Sequence, residues 1–255
     1  MRWDDFERVG SPVIHGTVAR GLSLGQDAFP EPLRIALSHA GVQAEEAADP
    51  PGLEALVREH KPDFLICSAT ALGPDPEASM AWLLAARPAV SCPVFLLREE
   101  RMLAETARKA TSFSEVMGSG QDALGYYLMI RATLRRKRPH VITDVLVHGK
   151  LSLDQESFLV RFGENSGPLT MLEFCVLGAL LDAPRIVWNK IFLNRIVFGP
   201  AGVKPGRQFD TFMSIVRRGI RGKIGVDPIV AEHGVGYALS PAVLDVPVIA
   251  RPREP

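Results

Sequence analysis

Between residues 12 and 138 the chain alternates short apolar runs with longer stretches whose apolar positions recur at helical spacing. The short runs, near 13–24, 42–44, 64–68, 94–97 and 114–117, read as strands. The stretches 30–40, 51–60, 77–87, 99–111 and 122–138 read as helices, several of them opened by Pro or an acid. Five strand–helix units in a row predict a parallel sheet covered by helices on both faces. The first strand carries the weakest signal, because Gly16, Gly21 and Gly25 dilute it. The last helix ends in Arg135-Arg136-Lys137-Arg138, followed by Pro139, which marks a boundary. That basic run is expected to be a solvated last turn complementing the helix dipole, with phosphate contact the minor alternative.

Beyond the boundary the pattern changes. Alternating segments at 142–147, 150–153 and 158–162 predict strands, then come three helical segments, then a strand pair around 230–239. The first helix opens Thr170-Met171-Leu172-Glu173, a capping box in which hydroxyl and carboxylate each satisfy a free amide. The second is capped by Asn189 and stopped by Gly199-Pro200. The third, about 207–223, places Phe209, Met213, Val216 and Ile220 at steps of 4, 3 and 4, one apolar stripe for a core. Its glycines, Gly219 and Gly222, are expected to loosen the last turns at about 1 kcal/mol each relative to alanine.

Composition places the 255-residue chain, 47% hydrophobic and 23% charged, among globular proteins of one or two domains. Three well-separated cysteines, Cys67, Cys92 and Cys175, each among apolar neighbours, read as buried reduced thiols. With neither an apolar leader at the N-terminus nor an apolar run long enough for a membrane span, the expectation is a soluble cytoplasmic protein. The net charge is zero, but its distribution is not even. Positions 1–134 hold 12 Lys and Arg against 18 Asp and Glu, a balance of −6, and positions 135–255 hold 17 against 11, a balance of +6. Within 185–223 nine basic residues face Asp210 alone.

This concentration falls on the third C-terminal helix. Opposite its apolar stripe lie Arg207, Thr211, Ser214, Arg218 and Arg221, flanked by Gln208, Arg217 and Lys223. Cationic and small polar residues on one face of an anchored helix suit the DNA major groove, where Arg bonds guanine or phosphate. A merely solvated helix would usually mix its charges. The segment Glu232-His233-Gly234-Val235-Gly236-Tyr237 then reads as a hairpin turn able to enter a minor groove beside that helix.

Taken together, Leu151-Ser152-Leu153-Asp154, Leu169-Thr170, Glu173-Phe174, Leu193, Phe198-Gly199, Arg207, Asp210, Arg217 and Gly234-Val235-Gly236-Tyr237 resemble the C-terminal winged-helix domain of the OmpR/PhoB response regulators. The resemblance implies that the third helix is a recognition helix with Arg207 and Arg217 facing DNA, and that the hairpin at His233 is the wing. It also implies that the loop 199–206 meets RNA polymerase. The DNA-contacting set it suggests is Asn189, Lys190, Arg207, Gln208, Thr211, Ser214, Arg217, Arg218, Arg221, Lys223 and His233. The chain departs from the family at Ser214 and Ile215, where further basic residues are common, and at His233, usually Arg, beside Glu232.

The N-terminal half is similar to the receiver domain of the same regulators in its framework, at Gly41-Val42-Gln43, 62–67 and 93–97, but not in its chemistry. The phosphoacceptor position falls on Ser68, the acidic pair on about Leu24-Gly25, the hydroxyl switch on Arg98, and the Lys-Pro pair on Ser119-Gly120. A hydroxyl does not replace acyl-phosphate chemistry, and a hard divalent cation needs oxygen ligands. Asp63 reads as a strand-entry residue and Asp75 as a loop residue.

The expected fold is therefore an α/β flavodoxin-like pseudo-receiver over 1–138 and a linker at 139–141. An α+β winged helix-turn-helix domain over 142–241 and a tail at 242–255 follow. The expected role is a non-enzymatic DNA-binding transcriptional regulator that acts without aspartyl phosphorylation. It would bind double-stranded DNA as a homodimer through about residues 99–138, meet RNA polymerase, and use no cofactor or metal. His15, His39, His60, His140, His148 and His233 show no metal-ligand spacing. Competing readings are an adaptor of the transcription machinery with weak DNA binding and a small-molecule sensor using the strand ends of the receiver-like half.

Overall fold

The structure, a computed structural model, describes residues 20–24, 29–40, 42–69, 92–98, 114–118, 120–199 and 202–244. The expected helices at 77–87 and 99–111, strand residues 13–19, Gly25, Asp75, Ser119 and the tail beyond 244 lie outside them. The chain divides into two compact units between Ile142 and Thr143.

In the first unit, β1 (Arg20–Leu24), β2 (Gln43–Ala47), β3 (Phe64–Ser68), β4 (Val94–Arg98) and β5 (Glu115–Gly118) form one sheet in the order β2-β1-β3-β4-β5. Every pairing is parallel. This 2-1-3-4-5 order is the flavodoxin-like doubly wound arrangement. β3 lies near the middle and is buried along its whole length, so Phe64 to Cys67 is a continuous apolar run rather than an alternating one, closed by the buried Ser68. β2, at the edge, keeps Gln43, Ala44 and Glu46 exposed, and its charges protect an open strand. Gly21 in β1 has a packing reason: a Cβ there would lie 2.7 Å from the ring of Phe64. That aromatic ring is in turn edge-on to Phe95 at 5.8 Å.

Helices α1 (Glu31–His39), α2 (Pro50–His60) and α3 (Ala123–Lys137) flank the sheet. Asp49 and Asp122 cap α2 and α3 by accepting from Gly52 N at 2.8 Å and Gly125 N at 2.7 Å. α3 departs from the expected amphipathic surface helix. From Ala123 to Arg135 all its residues but Gly125 are buried, including Arg131 and a fully buried Arg135. The terminal basic run is thus not a uniformly solvated turn. Arg138 points back to the sheet entrance, donating to the Pro62 carbonyl at 3.3 Å and lying 3.5 Å from Asp63. A 3-10 turn, Pro139–Val141, follows in the expected linker, with Val141 and Ile142 buried.

The second unit starts with an antiparallel sheet of β6 (Val145–His148), β7 (Leu151–Asp154), β8 (Leu159–Phe162) and β9 (Asn165–Pro168). Then come α4 (Met171–Asp182), β10 (Trp188–Asn189), α5 (Lys190–Phe198), α6 (Gly206–Ile224), β11 (Ile229–Glu232), β12 (Gly236–Leu239) and the short α7 (Pro241–Leu244). β10, β12 and β11 make a second antiparallel sheet. α4 is buried from Glu173 to Asp182, as a helix apolar all round must be. Around it are α5, α6, β6 and β12, the layout of a winged helix-turn-helix.

α6 buries Phe209, Met213, Val216, Ile220 and Ile224, the expected stripe extended by one turn. Its two glycines turn out to differ. A Cβ at Gly219 would lie 2.1 Å from Glu173 Oε1, whereas Gly222 has open space. Gly222→Ala should therefore raise unfolding stability by about 1 kcal/mol through helix propensity, and Gly219→Ala should lower it by displacing a fastened carboxylate. Chemical denaturation of both variants measures the difference in sign.

Candidate nucleic-acid interface

The presentation of α6 rests on its partners at each end. Near its start, Asp210 accepts from Lys190 Nζ on α5, at 2.8 Å to Oδ1 and 3.0 Å to Oδ2, and from Tyr237 Oη on β12 at 2.8 Å. The Lys190 bond and then the Tyr237 bond hold the Asp210 carboxyl below its ordinary range. Burial, followed by the Asp210 bond, pushes the Tyr237 phenol up. One carboxylate thus ties the helix-turn-helix pair to the hairpin. Phe209 adds an edge contact to the Tyr237 ring at 6.0 Å.

Near its end, Lys223 Nζ donates to Glu173 Oε2 on α4. The same oxygen accepts from Thr170 N at 2.8 Å and Thr170 Oγ1 at 2.9 Å, completing the capping box. Burial opposes ionisation of Glu173, but the Lys223 and Thr170 bonds outweigh it and hold the carboxyl below its ordinary value of 4.5.

These bonds change the electrostatic reading. Of the nine basic residues in 185–223, Lys190, Arg217 and Lys223 are paired with carboxylates. Arg217, implied by the resemblance to face DNA, instead places Nε and Nη2 at 3.0 and 2.8 Å from Asp227 Oδ2 and is half-buried. Asp227 and Glu173 lie outside the sequence window that made the charge appear unopposed.

Arg207, Arg218 and Arg221 are exposed and make no ion pair among the described residues. Gln208, Thr211 and Ser214 are exposed between them. Thr211 Oγ1 donates to the Arg207 carbonyl at 3.1 Å and Ser214 Oγ to the Asp210 carbonyl at 2.9 Å, so both hydroxyl protons are committed to the helix itself. Asn189 is exposed and caps α5 by accepting from Ile191 N at 2.8 Å. His233 and Glu232 are exposed at the hairpin, where Val235 N donates to the Glu232 carbonyl at 3.0 Å. Of the loop 199–206, residues 200–201 lie outside the described set. Its far end is fastened by Asn194, which donates to the Lys204 carbonyl at 2.7 Å and accepts from Lys204 N at 3.1 Å.

In the first unit Ser68 is buried at the C-terminal end of β3. Asp63 precedes the opposite end of that strand, about 16 Å of extended chain away. Among the described residues no group of three His, Cys, Asp or Glu is placed to hold a metal ion. Burial first, and then the neighbouring Cys92, pushes the Cys67 thiol up to about 12. Burial brings Cys92 to about 11. Thiols held protonated in this way are poor nucleophiles. Among the described residues no helix is long and apolar enough to cross a membrane.

No protein family's sequence profile matches the chain. Over 110 residues it is 28% identical to the phosphate regulon transcriptional regulatory protein PhoB of Rhizobium meliloti (strain 1021), covering 43% of this chain and 48% of that protein. The chain is similar to the OmpR/PhoB response regulators. It spans about half the length of this curated relative. Among solved structures it is similar to DrrB, an OmpR/PhoB homologue of Thermotoga maritima, with 16% identity over 88% of this chain and 99% of that chain, TM-score 0.37. It is also similar to a protein described among redox sensors in the streptococci evolved from two-component response regulators, with 17% identity over 87% of this chain and 98% of that chain, TM-score 0.40. A third is the AdeR DNA-binding domain in complex with an intercistronic region, with 21% identity over 37% of this chain and 98% of that chain, TM-score 0.32. As in the OmpR/PhoB architecture, a receiver-type parallel sheet precedes a winged helix here.

Because its folded pKa is depressed, Glu173 contributes stability that is full above about its ordinary value and is lost as pH falls through the lower folded value. The stability difference between the native chain and Glu173→Gln should therefore be constant at neutral pH and shrink below pH 4.5. Urea denaturation of both chains across that range checks it.

Proposed function

We propose that this chain is a DNA-binding transcriptional regulator whose receiver-like unit works without aspartyl phosphorylation. The observation that carries the reading is the outer face of α6, where Arg207, Arg218 and Arg221 stand exposed around Thr211 and Ser214 while the opposite face is locked into the core. A helix of this kind enters the major groove with the hairpin β11–β12 beside it. In this reading Arg207, Arg218 and Arg221 supply phosphate and guanine contacts, with Gln208, Thr211, Ser214, Asn189 and His233 around them. Lys190, Arg217 and Lys223 chiefly hold the fold, since each already has a carboxylate within hydrogen-bond distance.

Ser68 at the end of β3 supports independence from aspartyl phosphorylation, because a buried hydroxyl there offers no carboxylate to form an acyl phosphate. Asp63 is turned toward Arg138 at the other end of the strand. Binding to paired half-sites about one helical turn apart as a dimer, and contact of the loop 199–206 with RNA polymerase, complete the proposal.

Fluorescence anisotropy against duplex DNA tests the reading. Log K should fall linearly with log salt, by about 0.9 per phosphate neutralised, and Arg207→Ala or Arg218→Ala should each flatten the slope by about that amount if the side chain meets phosphate. Acetyl phosphate with Mg²⁺ should leave affinity unchanged. A salt-independent curve, or an acyl-phosphate response, would overturn the corresponding half of the proposal.

A further inference from the structure

We infer that Ile215 is a specificity-determining residue that reads the 5-methyl group of thymine, an inference that rests on the DNA-binding role proposed for α6. Ile215 is 61% exposed, although it lies in a helix whose other large aliphatic side chains, Met213, Val216, Ile220 and Ile224, are buried. Its position on the helix is not neutral. It follows Thr211 by four residues and precedes Arg218 by three, so it borders the same face as both.

The chemistry around it limits what the middle of that face can recognise. The hydroxyl protons of Thr211 and Ser214 are bonded to the carbonyls of Arg207 and Asp210, which leaves those oxygens as acceptors. Having spent its hydroxyl proton on its own helix, Thr211 retains a methyl group as its other substituent. The centre of the face therefore offers acceptors and aliphatic carbon, with donors confined to the arginines and Gln208. Purine N7 and O6 need donors, whereas the thymine 5-methyl takes apolar contact. An exposed isoleucine beside Arg218 thus has one complementary group in the major groove. Contact with it removes from water an aliphatic surface that the folded chain leaves exposed.

The test begins by selecting a binding site from random duplexes with the full chain, then replacing each thymine singly by deoxyuridine, which removes only the 5-methyl. At one thymine per half-site the replacement should weaken binding by about fourfold, the effect of one buried methyl-sized group. In Ile215→Ala the same replacement should cost less than about twofold, while uracil at other positions behaves as with the native chain. Circular dichroism melting should find this variant as stable as the native chain, since the side chain is exposed. A site with no uracil-sensitive thymine, or a sensitivity that Ile215→Ala leaves intact, overturns the inference with the DNA-binding reading still standing. If the chain selects no site and binds no duplex, both fall together.

Discussion

The second unit is organised around the buried carboxylate of Glu173. One of its oxygens receives the backbone and hydroxyl of Thr170, which starts α4, and the ammonium of Lys223, which ends α6. The other occupies the space that the missing side chain of Gly219 leaves open. A buried carboxylate is costly unless its acceptor capacity is filled, and here the filling groups come from two helices. The pair therefore fixes the angle at which α6 presents its outer face. At the opposite end Asp210 does the same with Lys190 and Tyr237, but on the surface, where such a pair contributes at most about 1 kcal/mol. The core stripe from Phe209 to Ile224 anchors α6 between these ends.

This arrangement separates two uses of positive charge that look alike in a sequence. Lys190, Arg217 and Lys223 are paired with carboxylates, while Arg207, Arg218 and Arg221 are exposed with no ion pair among the described residues. Net charge per segment does not distinguish them, because the opposing acids Glu173 and Asp227 lie outside the segment itself. In the proposed role only the second group supplies salt-sensitive attraction. The first sets the geometry in which that attraction is used.

The first unit retains a receiver-type parallel sheet. Packing accounts for the retention: β3 is buried throughout, Phe64 and Phe95 interlock, and Gly21 leaves room for the Phe64 ring. α3, with Arg131 and Arg135 buried, is equally part of the scaffold.

The elements legible from residue order alone are those whose local code is strong. β3 carries an unbroken apolar run from Phe64 to Cys67, Thr170 and Glu173 form a capping box, and the 4-3-4 spacing from Phe209 to Ile220 admits one helix face. β9 was not legible, because Asn165-Ser166-Gly167-Pro168 has little β propensity and is a strand only through pairing with β8. β10, two residues long, is likewise defined by its pairing with β12. The burial of Arg135, the pairing of Arg217 with Asp227 and the purpose of Gly219 were decided by the tertiary structure alone. Each depends on a group ten or more residues away or on another element, and hydrophobic periodicity records only what a segment does with its own faces. The exposed face of α6 lies between these cases: its composition was in the sequence, but the pairing of Arg217 and Lys223 with carboxylates of other segments came from packing.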